Sequence, residues 1–229
     1  MRVLTFNIWG LPAPLARPPR HWRFPKLRRF VDDSGADIVA LQELWRFPLR
    51  PRDFDDAIAA PVAQGDSGLA LLTRHGVDAI EHGSFAVGAV GAVDRSWSRK
   101  GWQRASLTNG VTLVNTHLHA YAGDDDAALR SAQIDELLDV TARIVGPVLM
   151  VGDFNVYAHI DSDQRALARI ASAGFVDAAA PHDATLTYDR DGEHERFDRV
   201  FARGLTPTSA RVVTSVSALS DHRPVQVSF

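Results

Sequence analysis

Six short polar motifs, nearly all at the ends of apolar runs, are spread from the first ten residues of this chain to its last ten. They are Thr5-Phe6-Asn7, Leu41-Gln42-Glu43, Asn115-Thr116-His117, Gly152-Asp153-Phe154-Asn155, Arg196-Phe197-Asp198 and Ser220-Asp221-His222. No linker separates them. A fold that uses them jointly must gather many strand ends into one place, so residues 1–229 are read as a single domain.

The rest of the composition allows this. The hydrophobic fraction of 45% and charged fraction of 23% are ordinary globular values and suffice for a sizeable core. The absence of cysteine excludes disulfides and thiolate chemistry and leaves the compartment open. Met1 leads straight into Val3-Leu4-Thr5-Phe6, with no basic and long apolar segment of a signal peptide, and no stretch reaches the length of a membrane span. The expectation is a soluble monomer, cytoplasmic or secreted with its signal removed.

The net charge of −3 does not suggest a dedicated nucleic-acid binder. Its distribution is uneven. Residues 17–29 hold Arg17, Arg20, Arg23, Lys26, Arg28 and Arg29 with His21, Trp22 and Phe24 interleaved, and Arg46, Arg50 and Arg52 follow. Two readings stay open for that run: a solvated helix face, or a patch that meets lipid headgroups or a phosphate backbone.

Strands are expected at 2–8, 36–42, 68–73, 85–93, 104–108, 111–116, 147–152, 197–202, 209–214 and 224–229. Asn109-Gly110 reads as a hairpin turn. Helices are expected at 22–33, 124–145 and 162–173; in the second, Ile134, Leu137, Leu138, Thr141, Ile144 and Val145 recur at helical spacing. Pro12, Pro14, Pro18 and Pro19 break regular structure after the first strand, and 45–65 reads as an irregular loop with short helix. Many strands with a few interposed helices suggest two packed sheets covered by helices.

Glu43 ends an apolar strand, where a carboxylate is either a helix-capping group or a metal ligand. A hard cation such as Mg²⁺ takes oxygen ligands and keeps several waters, so one or two protein carboxylates suffice. Asn7 could add a carbonyl oxygen. Asp153 and Asn155, two apart on an extended chain, project to one side; Asp153 could orient water and Asn155 donate to a phosphoryl oxygen. His117 and His119 also share a face. A zinc site is the rival reading, but further ligands are not evident, and His117 is preferred as a donor to phosphate. His222 is the candidate general base, with Asp198 fixing its tautomer and Asp221 facing a metal or its water shell. Together this is the inventory for metal-assisted hydrolysis of a phosphate ester.

These motifs resemble the endonuclease/exonuclease/phosphatase superfamily, in its order and over nearly the whole chain. The resemblance implies an α/β fold, a four-layer α-β-β-α sandwich of two mostly antiparallel sheets with the site at one end. It implies Glu43 as main metal ligand with Asn7 and Asp221 beside it. Asp153, Asn155 and His117 would surround the phosphate, and His222 would be the base supported by Asp198 and Asp221. The cofactor would be Mg²⁺, with Mn²⁺ also suited to an oxygen-rich site.

Within that superfamily, Asn7-Ile8-Trp9-Gly10-Leu11-Pro12, Asn115-Thr116-His117-Leu118-His119-Ala120 with Tyr121, Lys100-Gly101-Trp102, and Arg130 with Gln133 are similar to the neutral sphingomyelinase branch. On that likeness Lys100 would neutralise phosphate charge. Trp9, Trp102 or Tyr121 would face a choline ammonium, and Arg130 and His119 would join the substrate site. The plain alternatives are a hairpin turn at Lys100-Gly101 and polar helix surface for Arg130 and Gln133. The chain is short for that branch and carries no long apolar hairpin or membrane tail; the segment 17–29 could contact a membrane instead. The expected activity is hydrolysis of a phospholipid head-group phosphodiester. The alternatives are a DNA endonuclease or exonuclease and, since every catalytic position is filled, last a non-catalytic binding module.

Overall fold

Alternating side chains build the layers. The computed structural model describes residues 1–10, 20–44, 56–59, 67–87, 100–190, 192–216 and 218–229, with backbone alone for residues 20 and 56–59. In β1 (Arg2–Asn7), Val3 points into a core that also holds Leu149 and Val151 of β8 (Val148–Asp153). Leu4 and Phe6 point the other way, against Leu27 and Val31 of α1 (Arg20–Asp33). In β8, Val148 and Met150 face Ile134 and Leu137 of α2 (Asp124–Ala142) and Ala166 and Ile170 of α3 (Asp161–Ser172). Period-two strands buried on both faces give a middle core and two outer ones. The result is helix, sheet, sheet, helices, the four-layer α/β sandwich.

One sheet runs β13 (Ser209–Val212), β14 (Val225–Ser228), β1, β2 (Ile38–Gln42), β4 (Ala70–Thr73), β3 (Asp56–Ala59). The other runs β5 (Val77–Ser84), β6 (Gly101–Leu107), β7 (Thr112–His117), β8, β12 (Asp198–Arg203), β9 (Val176–Asp177). Each sheet is antiparallel apart from one parallel pair, β1 with β2 and β7 with β8. A separate hairpin joins β10 (Tyr188–Arg190) to β11 (Glu193–Glu195). Between the sheets, a Gln42 amide N–H donates to Asn115 Oδ1 at 2.8 Å, and Asn115 donates to the carbonyls of Leu41 and Ala70. Those buried amides are thus fully used.

The helices and most strands fall where the sequence places them, and Gly110, at φ 84°, makes the expected turn. Of the strand expected at 85–93, residues 85–87 lie outside any strand, and β5 occupies 77–84, whose exposed, charged edge hides its pairing from an apolar-run criterion. Residues 56–59 form a strand inside the stretch expected to be irregular. The remainder of that stretch, the proline-rich segment from Pro12 to Pro19, residues 88–93 and the basic residues Arg17, Arg46, Arg50 and Arg52 lie outside the described residues.

Among the described members of the basic run, Arg23 turns inward while Lys26, Arg28 and Arg29 lie on the outer face of α1. Arg23 is 0% exposed and donates to the carbonyls of Ile8, Trp9 and Leu219. Arg28 and Arg29 approach Asp32 and Asp33 one turn on. Trp22 and Lys26 remain outside, the ammonium 3.3 Å from the indole centroid. No helix among the described residues is long and apolar enough to cross a membrane.

Candidate active site

Strand register assembles the polar ends. The parallel pairs end together, Asn7 beside Gln42 and His117 beside Asp153. The antiparallel β12 begins with Asp198 opposite the same Asp153. Gly152 lets this happen: a Cβ there would lie 2.0 Å from the Thr116 carbonyl oxygen, so no other residue fits between β7 and β8. Leaving the strands, the chain turns sharply at Trp9 (φ 48°), Glu43 (φ 57°), Tyr121 (φ 81°) and Asn155 (φ 48°). These are the non-glycine residues of positive φ among those described, and each lies close after a strand end of the site. Backbone strain of about 1–3 kcal/mol per such position is held by its surroundings.

The side chains then interlock. Asn7 Nδ2 donates to Asp153 Oδ2 at 2.8 Å and to Glu43 Oε1 at 3.2 Å. His222 Nδ1 pairs with Asp198 Oδ2 at 2.7 Å, and its Nε2 lies 3.7 Å from Asp153 Oδ2. Lys100 Nζ is 2.6 Å from His117 Nε2, which stands 3.4 Å from Asp153 Oδ2. Because the ammonium has only protons to give, Nε2 accepts and the His117 ring proton sits on Nδ1. The Ser220 hydroxyl donates to the Asn7 carbonyl at 2.7 Å and accepts the His222 amide N–H at 3.1 Å, which ties the last loop to β1. Asp221 is half-buried beside them, paired with Arg190 Nη1 at 3.1 Å.

Burial and neighbouring charge tune these groups. Burial pushes the Glu43 carboxyl up, with Asp221 adding to it and Lys100 opposing. Asp153 is raised, again first by burial. Burial and then Lys100 hold His117 well below the ordinary histidine range, so it is neutral. Burial alone would depress His222, but Asp198, Asp153 and Asp221 override it and push the imidazole up to about 10.

Glu43 Oε2 is buried with no hydrogen-bond partner among the described residues, and a raised carboxyl with an idle oxygen fits a divalent cation. Asp153, Asp198 and His222 also bring ligand-type atoms within 4.8 Å of one another. Yet Nδ1 of His222 is engaged by Asp198, so this trio is better described as a histidine–aspartate pair with a second carboxylate alongside. Asn7 differs from expectation: it turns its NH₂ to the carboxylates, while its Oδ1 accepts the Trp9 N–H at 3.0 Å. Asn155 likewise gives an N–H to the Leu118 carbonyl at 3.0 Å, and its backbone N–H to Asp153 Oδ1.

The residues expected to contact substrate separate into two groups. Lys100 lies in the cluster, and Gly101 is no turn. It opens β6, where a Cβ would sit 2.1 Å from the Gly83 carbonyl oxygen. Arg130 is instead buried at 0% exposure. It binds both carboxylate oxygens of Asp163, at 3.0 and 2.8 Å, and the carbonyls of His119 and Tyr121. His119 is held from behind by Asp126 at 2.6 Å and Gln133 at 2.8 Å. Trp102 faces α2, its indole N–H on Glu136. Arg130, His119 and Trp102 therefore serve the scaffold rather than the open site. Tyr121 is 53% exposed, its ring edge against His119. Trp9 is covered by guanidinium groups, Arg190 at 4.4 Å and Arg23 at 5.2 Å from the ring centroid.

Sequence reasoning missed Asp163, Tyr188 and Arg190, and it read Arg23 only as one of the basic run. Asp163 carried a signal, an acid in the first turn of an expected helix that is 0% exposed. Tyr188 and Arg190 carried none, since β10 is only 3 residues long.

The sequence matches the Endonuclease/Exonuclease/phosphatase family over residues 4–222. A Caenorhabditis elegans protein named "Putative neutral sphingomyelinase" is 28% identical over 178 residues, 68% of this chain and 41% of that protein. The chain thus spans less than half the length of that curated relative. Among solved structures, sphingomyelinase C from Streptomyces griseocarneus superposes with a TM-score of 0.78 at 23% identity, covering 99% of this chain and 98% of the other. A 3′-5′ exonuclease from Neisseria meningitidis superposes with a TM-score of 0.73 at 20% identity, covering 100% and 99%. At such identities these structures establish a shared fold.

Proposed function

The chain belongs to the endonuclease/exonuclease/phosphatase family, and from that premise we propose that it is a Mg²⁺-dependent hydrolase of a phospholipid head-group phosphodiester, of the sphingomyelinase C type. One observation carries the reading: a buried His222–Asp198 pair stands beside Glu43, whose second oxygen is buried and unpartnered among the described residues.

His222 takes a proton from water through Nε2, that water attacks phosphorus in line, and the opposite P–O bond breaks so that the lipid alcohol leaves with a proton returned from the solvent or the imidazolium. Asp198 holds the ring through Nδ1 and stabilises the imidazolium that forms. Asp153 lies where it can orient the water, 3.7 Å from Nε2. Lys100 offsets phosphate charge on the other side of Asp153, and neutral His117 holds that ammonium in place through Nε2. Glu43, oriented by the Asn7 N–H and with Asp221 near it, would hold a divalent cation, whose charge would stabilise the phosphoryl and leaving oxygens. His222 must enter the reaction neutral, so the pull of Asp198 and Asp153 on its proton has to be offset by positive charge in the site.

The lipid assignment is supported by the likeness to the worm protein and by Lys100 joining the cluster. A DNA-cutting enzyme on the same centre is the second reading, because Lys100 and Arg190 suit a polyanion. The deciding experiment offers phospholipid in mixed micelles and, separately, plasmid and abasic-site DNA, each with Mg²⁺ and with EDTA. Metal-dependent head-group release without nicking supports the lipid reading; nicking without release replaces it with the nuclease.

A further inference from the structure

Strand β10 puts Tyr188 and Arg190 two residues apart, hence on one face of the strand. Tyr188 forms an isolated backbone bridge with His222 and lays its ring 4.9 Å from the imidazole. Arg190, next along that face, places its guanidinium carbon 4.4 Å from the Trp9 centroid and Nη1 3.1 Å from Asp221 Oδ2. Its side chain is 39% exposed. The hairpin therefore walls the centre with one residue on the general base and a second, partly open to solvent, at the mouth.

Trp9 is a rigid mount. Its amide N–H is tied to Asn7, its carbonyl accepts from Arg23, and its backbone is locked at φ 48°. An indole face is the best protein surface for a quaternary ammonium. Here Arg23 and Arg190 already lie over that ring. A choline group would have to displace Arg190 from both Trp9 and Asp221 and then remain beside its charge and that of Lys100. A phosphate or carboxylate meets the opposite situation. A guanidinium has five N–H donors in a planar fork, so it can hold Asp221 and a second anion together.

We propose that Arg190, seated on Trp9, is an anion-reading subsite beside the catalytic centre, so that the preferred head group carries a second negative charge and not a quaternary ammonium. As a statement about substrate it rests on the phosphodiesterase reading above, keeping the sphingomyelinase C type of bond cleavage and replacing the choline head group of that class. As a statement about binding it can be tested without turnover.

The test is calorimetric titration of the whole protein in Mg²⁺ with two small phosphate esters, 3-phosphoglycerate and phosphocholine. They differ in the charge carried beside the phosphate. Wild type should bind 3-phosphoglycerate about tenfold or more tightly than phosphocholine. Arg190→Gln should remove most of that preference, and Arg190→Glu should reverse it. Arg190→Lys should fall between wild type and Gln, because it keeps the charge and loses the fork. Unchanged thermal unfolding checks that each variant is folded. Equal or tighter phosphocholine binding by wild type, no binding of 3-phosphoglycerate, or a preference indifferent to Arg190→Gln overturns the subsite and leaves the hydrolase reading standing. Failure to hydrolyse micellar lipid sinks the latter without touching the binding result.

Discussion

Asn7 and Asp153 belong to different sheets, and a 2.8 Å hydrogen bond from the Asn7 amide to the Asp153 carboxylate joins them. The same NH₂ group reaches Glu43 at 3.2 Å. One side chain therefore sets the spacing between the carboxylate that would hold a cation and the one that would orient water. Apolar contacts in the layer between two sheets are non-directional and fix their relative position less sharply than hydrogen bonds do. The Asn7 bridge, with the Gln42–Asn115 link behind it, pins that layer at the end where chemistry needs fixed distances.

Glu43 should be a cost to the cation-free protein. Its carboxyl is raised above the model-peptide value of 4.5, first by burial. A raised carboxyl favours folding below its unfolded pKa, and that benefit is lost as pH rises through the folded value, so at neutral pH the ionised group destabilises. Glu43→Gln should raise the melting temperature in EDTA, by about 2–4 °C for each kcal/mol recovered. It should also abolish the rise that Mg²⁺ gives the wild type. Scanning calorimetry with and without Mg²⁺ reads both effects. A variant that still gains stability from Mg²⁺ would move the cation elsewhere.

Asp198→Asn should keep the fold and lose the base. The amide cannot stabilise the imidazolium, and it favours the wrong tautomer; kcat should fall by about 10²–10⁴-fold. Removing the leading charge that lifts His222 should also bring its pKa down from about 10 towards the ordinary 6.5. A proton NMR titration of the His222 ring in the cation-free protein measures this, and an unmoved pKa would break the pair.

Asp163→Asn should damage stability more than an exposed charge would. Asp163 and Arg130 are both 0% exposed, and the change leaves a guanidinium buried without its counter-ion. The expected loss is about 3–5 kcal/mol in urea unfolding. Replacing both residues by apolar ones should recover part of it, since the unpaired charge is then gone.

Acid sensitivity should concentrate at Asp177. Burial would raise its carboxyl, but Arg196 and Arg199 outweigh that and hold it below the ordinary 3.8. A depressed carboxyl gives stability that is present above the unfolded pKa and is lost as pH falls through the folded one. The wild type should therefore lose stability below about pH 4 more steeply than Asp177→Asn. Urea midpoints measured between pH 6 and pH 3 test it; parallel curves would refute it.

Much of this centre was legible because strand ends are legible. Apolar runs closed by Asn7, Glu43, His117 and Asp153 name both the strand and the residue at its rim. The rest depended on burial, which residue type does not report. Arg130 and Arg23 are written like surface arginines, yet each is enclosed and bound to carbonyls. Arg190 was hidden for a different reason. Its place over Trp9 comes from a long-range contact of a hairpin outside both sheets, and nothing local in so short a strand announces it.

The most direct test of the central claim is the hydrolysis rate of a chromogenic phosphodiester, bis(p-nitrophenyl) phosphate, by wild type and His222→Ala, each in Mg²⁺ and in EDTA. Wild type should turn over only with Mg²⁺, and His222→Ala should fall by about 10²–10⁴-fold in kcat while unfolding at a similar temperature. Full activity of His222→Ala, or wild-type turnover undiminished by EDTA, would contradict the assignment of base and cation made here.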